Sequence, residues 1–121
     1  MSKPWQPYAR HILDTIAKIW RIQARGDITQ DEVLYDAALR NLQTLSEATQ
    51  SLPADKKAAF PAIPWQEISG FRNILVHNYL GDIDPLTIKA VIEQHLKPLE
   101  DCVRTLLNSV AEETDDDEEN Q

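Results

Sequence analysis

Cysteine is almost missing from this chain. Cys102 stands alone among 121 residues, so no internal disulfide can form. Its apolar neighbours mark it as a buried, inert thiol rather than a nucleophile. Glycine is nearly as scarce: Gly26, Gly70 and Gly81 are the whole supply, and no phosphate-cradling loop can be assembled from them. Neither an autonomous ATP- or NAD-using enzyme nor a cofactor is therefore expected. No apolar run approaches the roughly 20 residues that span a bilayer, and the Met1-Ser2-Lys3-Pro4-Trp5 start has no apolar stretch of the secretory kind. The expectation is a cytoplasmic protein without membrane contact.

Positive charge is also in short supply, with 12 Lys and Arg against 20 Asp and Glu and a net charge of −8. Seven of those acids lie between Glu112 and Glu119, beyond every Lys and Arg; without them residues 1–111 carry only −1. The sequence thus divides into a nearly neutral helical domain, 1–111, and an acidic C-terminal tail, 112–121, with too little apolar content to fold by itself. A broadly basic surface is ruled out, so any polyanion must be held by local placement of a few groups.

What the chain has in abundance is helical periodicity. With 42% hydrophobic residues it supports one core. A first helix is expected from about Pro7 to Arg25, with Ile12, Ile16, Ile19 and Trp20 on one stripe and Gly26 as its stop. Thr29 and Glu32 have capping-box spacing and open a second helix that runs on through Leu34, Ala38, Leu42 and Leu45 to Pro53, about 35 Å at 1.5 Å per residue. A short helix over Ala54–Phe60 is followed by one with Pro64 in its first turn, ending near Gly81. Asp84-Pro85 then reads as N-cap and N1 of a last long helix, in which Pro98 predicts a kink or break near Gln94–Lys97. No strand and no internal repeat is visible. The fold class is all-α, an up-and-down bundle of four to five helices ending in a disordered acidic tail.

The fourth of these helices carries the chemistry. In Phe71-Arg72-Asn73-Ile74-Leu75-Val76-His77-Asn78-Tyr79 an R-x4-H-x-Y pattern is set among aliphatic residues. With Arg72 at zero and about 100° per residue, Tyr79 falls near −20°, Asn73 near 100° and His77 near 140°, while Ile68, Phe71, Ile74 and Leu75 fill the opposite arc. One face is core; the other gathers a guanidinium, an amide, an imidazole and a phenol. Such a set suits phosphodiester cleavage without a metal. Arginine offers a permanent charge and a planar fork of donors to phosphate oxygens. Histidine exchanges a proton near neutral pH, an effect worth about 10²–10⁴-fold in rate. RNA brings its own nucleophile, the 2′-hydroxyl, whereas DNA would resist such a site. An isolated Arg and His at this spacing would more often be structural, with Arg72 in a salt-bridge network, His77 a satisfied histidine near a helix end and Tyr79 an interface aromatic.

The wider sequence decides between those readings. The run from Ile63 to Tyr79, preceded by Asp36-Ala37-Ala38-Leu39-Arg40-Asn41-Leu42 and Ser46-Glu47-Ala48, closely resembles the HepT family of HEPN-domain toxins, over about Asp36 to Leu99. The resemblance implies a small helical ribonuclease toxin, usually a homodimer, of a type VII-like toxin–antitoxin system. It also implies an MNT-type nucleotidyltransferase antitoxin as partner, which silences the toxin by adding AMP to the motif tyrosine. Carried over, the catalytic residues are Arg72 and His77. Asn73 and Tyr79 support the cleft, and Tyr79 is the site of AMPylation. RNA is the implied substrate, with tRNA a first candidate. The alternative from another class is a non-catalytic helical dimer or adaptor that binds the nucleotidyltransferase or a nucleotide.

Two further groups bear on the site. Asp36, Arg40 and Glu47 share a face of the second helix, either as i,i+4 surface pairing or as a border of the cleft. His11 and His95 have no partners at metal-ligand spacing, and no metal site is expected.

Overall fold

A computed structural model of the chain describes the backbone of residues 4–77 and 84–119, with side chains described for residues 4–71 and 84–109. The described residues form five helices and no strand. The first, α1 (Gln6–Arg25), turns Ala9, Ile12, Ile16 and Ile19 inward and leaves Arg10, Asp14, Lys18 and Arg21 exposed, the pattern of a helix lying on a core. It stops at Gly26, whose backbone is extended at φ 162°. A Cβ on Gly26 would stand 3.1 Å from Leu34 Cδ1, so any side chain there would require the leucine to give by a few tenths of an ångström. In the turn that follows, Asp27 Oδ1 accepts from the backbone N–H of Thr29 at 2.9 Å and from its hydroxyl at 2.7 Å. Those bonds hold the Asp27 carboxyl below its ordinary range.

The second helix, α2 (Glu32–Gln50), is capped by Asp31, whose Oδ1 accepts from Val33 N at 2.9 Å and Leu34 N at 3.3 Å. The expected Thr29–Glu32 capping box is thus displaced: Thr29 is spent on Asp27, and Asp31, one residue before the helix, satisfies the open N–H groups. With its end at Gln50 the helix is about 28 Å long, shorter than the periodicity suggested. A single-turn α3 (Ala54–Ala58), α4 (Trp65–His77) and the long α5 (Pro85–Glu119) complete the set. Asp84 Oδ1 accepts from Leu86 N at 3.0 Å at the start of α5, as its position before Pro85 predicts. The helix runs unbroken through Pro98. Both Pro98 and Gln94 are exposed, so the carbonyl deprived of its donor lies where water reaches it. Its backbone stays helical into the acidic run as far as Glu119. The expected end of the motif helix near Gly81 lies outside the described residues.

Packing joins α1 to α2 and to α5, and α2 to α4. Ile12, Ile16 and Ile19 of α1 meet Leu42 and Leu45 of α2, Ile68 of α4, and Ile88, Ile92, Leu96, Leu99 and Val103 of α5 in one core of fully or almost fully buried side chains. The α5 stripe recurs every three or four residues, which keeps one face of a long helix on the bundle. Cys102 is buried in the same stripe, and burial pushes its thiol up to about 11. Among the described residues no helix is long and apolar enough to cross a membrane.

Candidate active site on the fourth helix

The described contacts that fix α4 lie before the motif. At its start the Trp65 indole Nε1 donates to the backbone carbonyls of Lys57 at 2.9 Å and Phe60 at 3.1 Å, clasping the end of α3 and the following turn. One turn on, the Ser69 carbonyl accepts from Ser46 Oγ and from Gln50 Nε2 of α2, each at 3.4 Å. Ile68 enters the core at 1% exposure. On the α5 side, the Phe71 ring lies 5.8 Å from the His95 ring, tilted at 52°, and His95 Nε2 stands 3.9 Å from Glu67 Oε2. The helix is therefore held from three directions as it enters Arg72.

Arg72, Asn73 and His77 lie within the continuous helical backbone of α4. Arg72 and His77 are separated by about 7.5 Å along its axis and about 140° around it. Their side chains lie outside the described residues, as does Tyr79 altogether. What the backbone establishes is which residues share their face. Trp65 falls near 20°, Ser69 near 60°, Gln66 near 120° and Gly70 near 160° on the wheel that places Arg72 at zero. Ile68, at about −40°, and Phe71, at about 260°, lie on the buried side, as the sequence pattern requires. The motif face is thus continuous with a polar strip running back to the start of α4, bordered by α2 through Ser69. Sequence reading singled out neither Gln66 nor Ser69, although their wheel positions were available. Gln50 and Lys57 come from other elements and carry no local signal. Asp36 and Arg40 form no ion pair with each other among the described residues, so the expected i,i+4 link is not made.

A family model described as Ribonuclease HepT-like matches residues 10–106, which takes in α1 through most of α5 and the whole motif. The chain belongs to the HepT-like ribonuclease family. Among curated relatives, a protein of Caldanaerobacter subterraneus subsp. tengcongensis named "Putative RNase" is 32% identical over 84% of this chain and 93% of its own length. Another, from Methanocaldococcus jannaschii and bearing the same designation, is 35% identical over 66% of this chain and 69% of its own. A "Probable ribonuclease HepT" of Thermococcus cleftensis is 36% identical over 46% of this chain and 50% of its own. No solved structure matches the chain. Family membership supports a ribonuclease, with RNA as the class of substrate.

Proposed function

We propose that this protein is a metal-independent endoribonuclease, the toxin of a two-component toxin–antitoxin pair acting in the cytoplasm, with Arg72 and His77 as its catalytic residues. The observation that carries the reading is the R-x4-H-x-Y motif, complete in sequence, beginning on one anchored helix of a HepT-like ribonuclease. In the proposed reaction His77 removes the proton of the 2′-hydroxyl, whose oxygen attacks the adjacent phosphorus. The P–O5′ bond breaks, and the leaving oxygen takes a proton from the imidazolium of a second copy. Arg72 holds the non-bridging oxygens and offsets their growing charge. The products are a 2′,3′-cyclic phosphate and a 5′-hydroxyl.

Two copies are invoked because one Arg and one His make a sparse site, and a two-fold axis beside the motif face would bring both sets into one cleft. Control is assigned to Tyr79, as the acceptor of AMP from an MNT-type nucleotidyltransferase. Incubating purified protein with total RNA, and with tRNA, in excess chelator tests the reading. Cleavage leaving cyclic phosphate ends is expected. Intact RNA under these conditions, with wild-type protein free of AMP, would return the chain to the role of a non-catalytic adaptor.

A further inference from the structure

A cavity of about 300 Å³ opens between the end of α2, α3 and the first half of α4, lined by Gln50, Lys57, Trp65, Gln66, Ser69 and Gly70. No acid and no aliphatic side chain borders it. Its α4 members, Trp65, Gln66, Ser69 and Gly70, fall on the same arc as Arg72, Asn73 and His77. Gly70 is about 3 Å and Gln66 about 9 Å from Arg72 along the axis, within the span of a few nucleotides.

Of the five described lysines, Lys18 on the exposed side of α1 and Lys57 at this cavity have neither an ion pair nor a ring partner among the described residues, and of these two Lys57 is the part-buried one. Lys89 is 3.8 Å from Asp27, and Lys97 is 3.2 Å from both Glu100 and Asp101. Lys56 lies 5.5 Å over the Trp5 ring. Lys57, half-buried, has no carboxylate within ion-pair reach among the described residues. The Trp65 indole holds the Lys57 backbone through its carbonyl, and Gln50 is tied to Ser69. Gly70 adds a second anomaly. Glycine inside a helix destabilises it relative to alanine, yet a Cβ at Gly70 would meet nothing within 4 Å, so packing does not demand glycine there. What the glycine provides is open backbone facing the cavity.

We propose that this cavity holds the RNA strand flanking the scissile phosphate, with Lys57 on a backbone phosphate and the amides of Gln50 and Gln66 beside the neighbouring nucleotide. The proposal rests on the nuclease reading for its place beside the reacting phosphate. In a domain whose residues 1–111 carry a net charge of −1, a part-buried lysine without a carboxylate partner, set beside two side-chain amides, is the local placement that phosphate binding requires.

The test uses a fluorescein-labelled 2′-O-methyl RNA oligonucleotide of mixed sequence, whose blocked nucleophile permits binding without cleavage, read by anisotropy across a salt series. Lys57→Ala should weaken binding about tenfold, the scale of one charge-assisted hydrogen bond, and flatten the slope of log K against log salt by about 0.7. Lys57→Arg should restore both, and Lys56→Ala should leave the slope unchanged. Gly70→Leu, which fills the cavity, should weaken binding while the thermal midpoint stays at or above that of the wild type. Wild-type affinity and slope in Lys57→Ala would overturn the proposal. Cleavage of unmodified RNA by the wild type is scored separately. Cleavage with Lys57-independent binding sinks the cavity alone, whereas Lys57-dependent binding without cleavage sinks the nuclease reading and leaves the cavity as a strand-binding site.

Discussion

The ring of Phe71 meets the ring of His95 at 5.8 Å, one residue before Arg72. Through this contact the last described side chain of α4 is set against α5, while Ser69 on the same helix is bonded to α2. The described contacts thus tie the helix to both neighbours just before the motif begins. A site built on rigid, doubly anchored helix keeps its geometry better than one on a loop.

Loosening that anchor should cost stability first. Phe71→Ala removes a partly buried ring from the core edge and should destabilise by about 2 kcal/mol, less than the 3–5 kcal/mol of a fully buried phenylalanine. Ile68→Ala, at a position 1% exposed, should cost about 3 kcal/mol. Urea titrations measure both. A Phe71→Ala cost as large as that of Ile68→Ala would mean that the ring carries more of the core than its exposure indicates.

The chemistry should fail as a unit. Arg72→Ala, His77→Ala and the double variant are expected to lose RNA cleavage to similar extents, because groups acting on one transition state do not contribute independently. Initial rates on a defined RNA decide the matter. Full activity in His77→Ala would remove the proton-transfer assignment and leave Arg72 as a binding residue only.

The working unit should be a dimer. Sedimentation at micromolar concentration is expected to give twice the chain mass, and heterodimers of wild-type and His77→Ala chains should be inactive, because the proposed cleft draws one imidazole from each copy. An active monomer would confine the site to a single α4.

Much of this architecture is legible in the sequence for a simple reason. Ile12, Ile16 and Ile19, or Ile88, Ile92, Leu96, Leu99 and Val103, repeat at helical spacing, and each repeat is the buried stripe of one helix. Boundaries follow less well, since caps compete: Asp31 and Thr29 are both good N-caps, and the turn settles the matter by giving Thr29 to Asp27. The part of the motif that is described was readable because Arg72, Asn73 and His77 share one helix. The cavity beside it was not, because Lys57 and Gln50 reach α4 only through the packing of α2 and α3, and no spacing along the chain encodes that meeting.

Cys102 should report on the core through pH. Burial raises its folded-state pKa from 9.0 to about 11, so it favours the folded state fully below 9.0 and loses that contribution as pH rises through about 11. The stability of the wild type should therefore fall more steeply over this range than that of Cys102→Ala, and the thiol should resist alkylation at neutral pH until the protein unfolds. Parallel stability profiles for the two proteins would show the thiol to be free of that burial.

Tyr79 is where regulation and catalysis should separate. On a continued helix its position is about 20° from Arg72, so AMP on the phenolic oxygen would bring a bulky group and a negative charge to the face proposed for the substrate phosphate. That phosphate could pair with Arg72 or its counterpart in the second copy through charge-assisted hydrogen bonds, which keeps the site blocked after the nucleotidyltransferase has left. Tyr79→Phe lacks the acceptor oxygen but keeps the ring, and the phenol has no assigned proton transfer. The variant should retain most RNA cleavage and escape lasting inhibition, while mass spectrometry of the co-expressed wild type should place AMP on the Tyr79 peptide. An adduct found elsewhere, or AMP-bearing protein that still cuts RNA, would leave the partner to inhibit by occlusion alone.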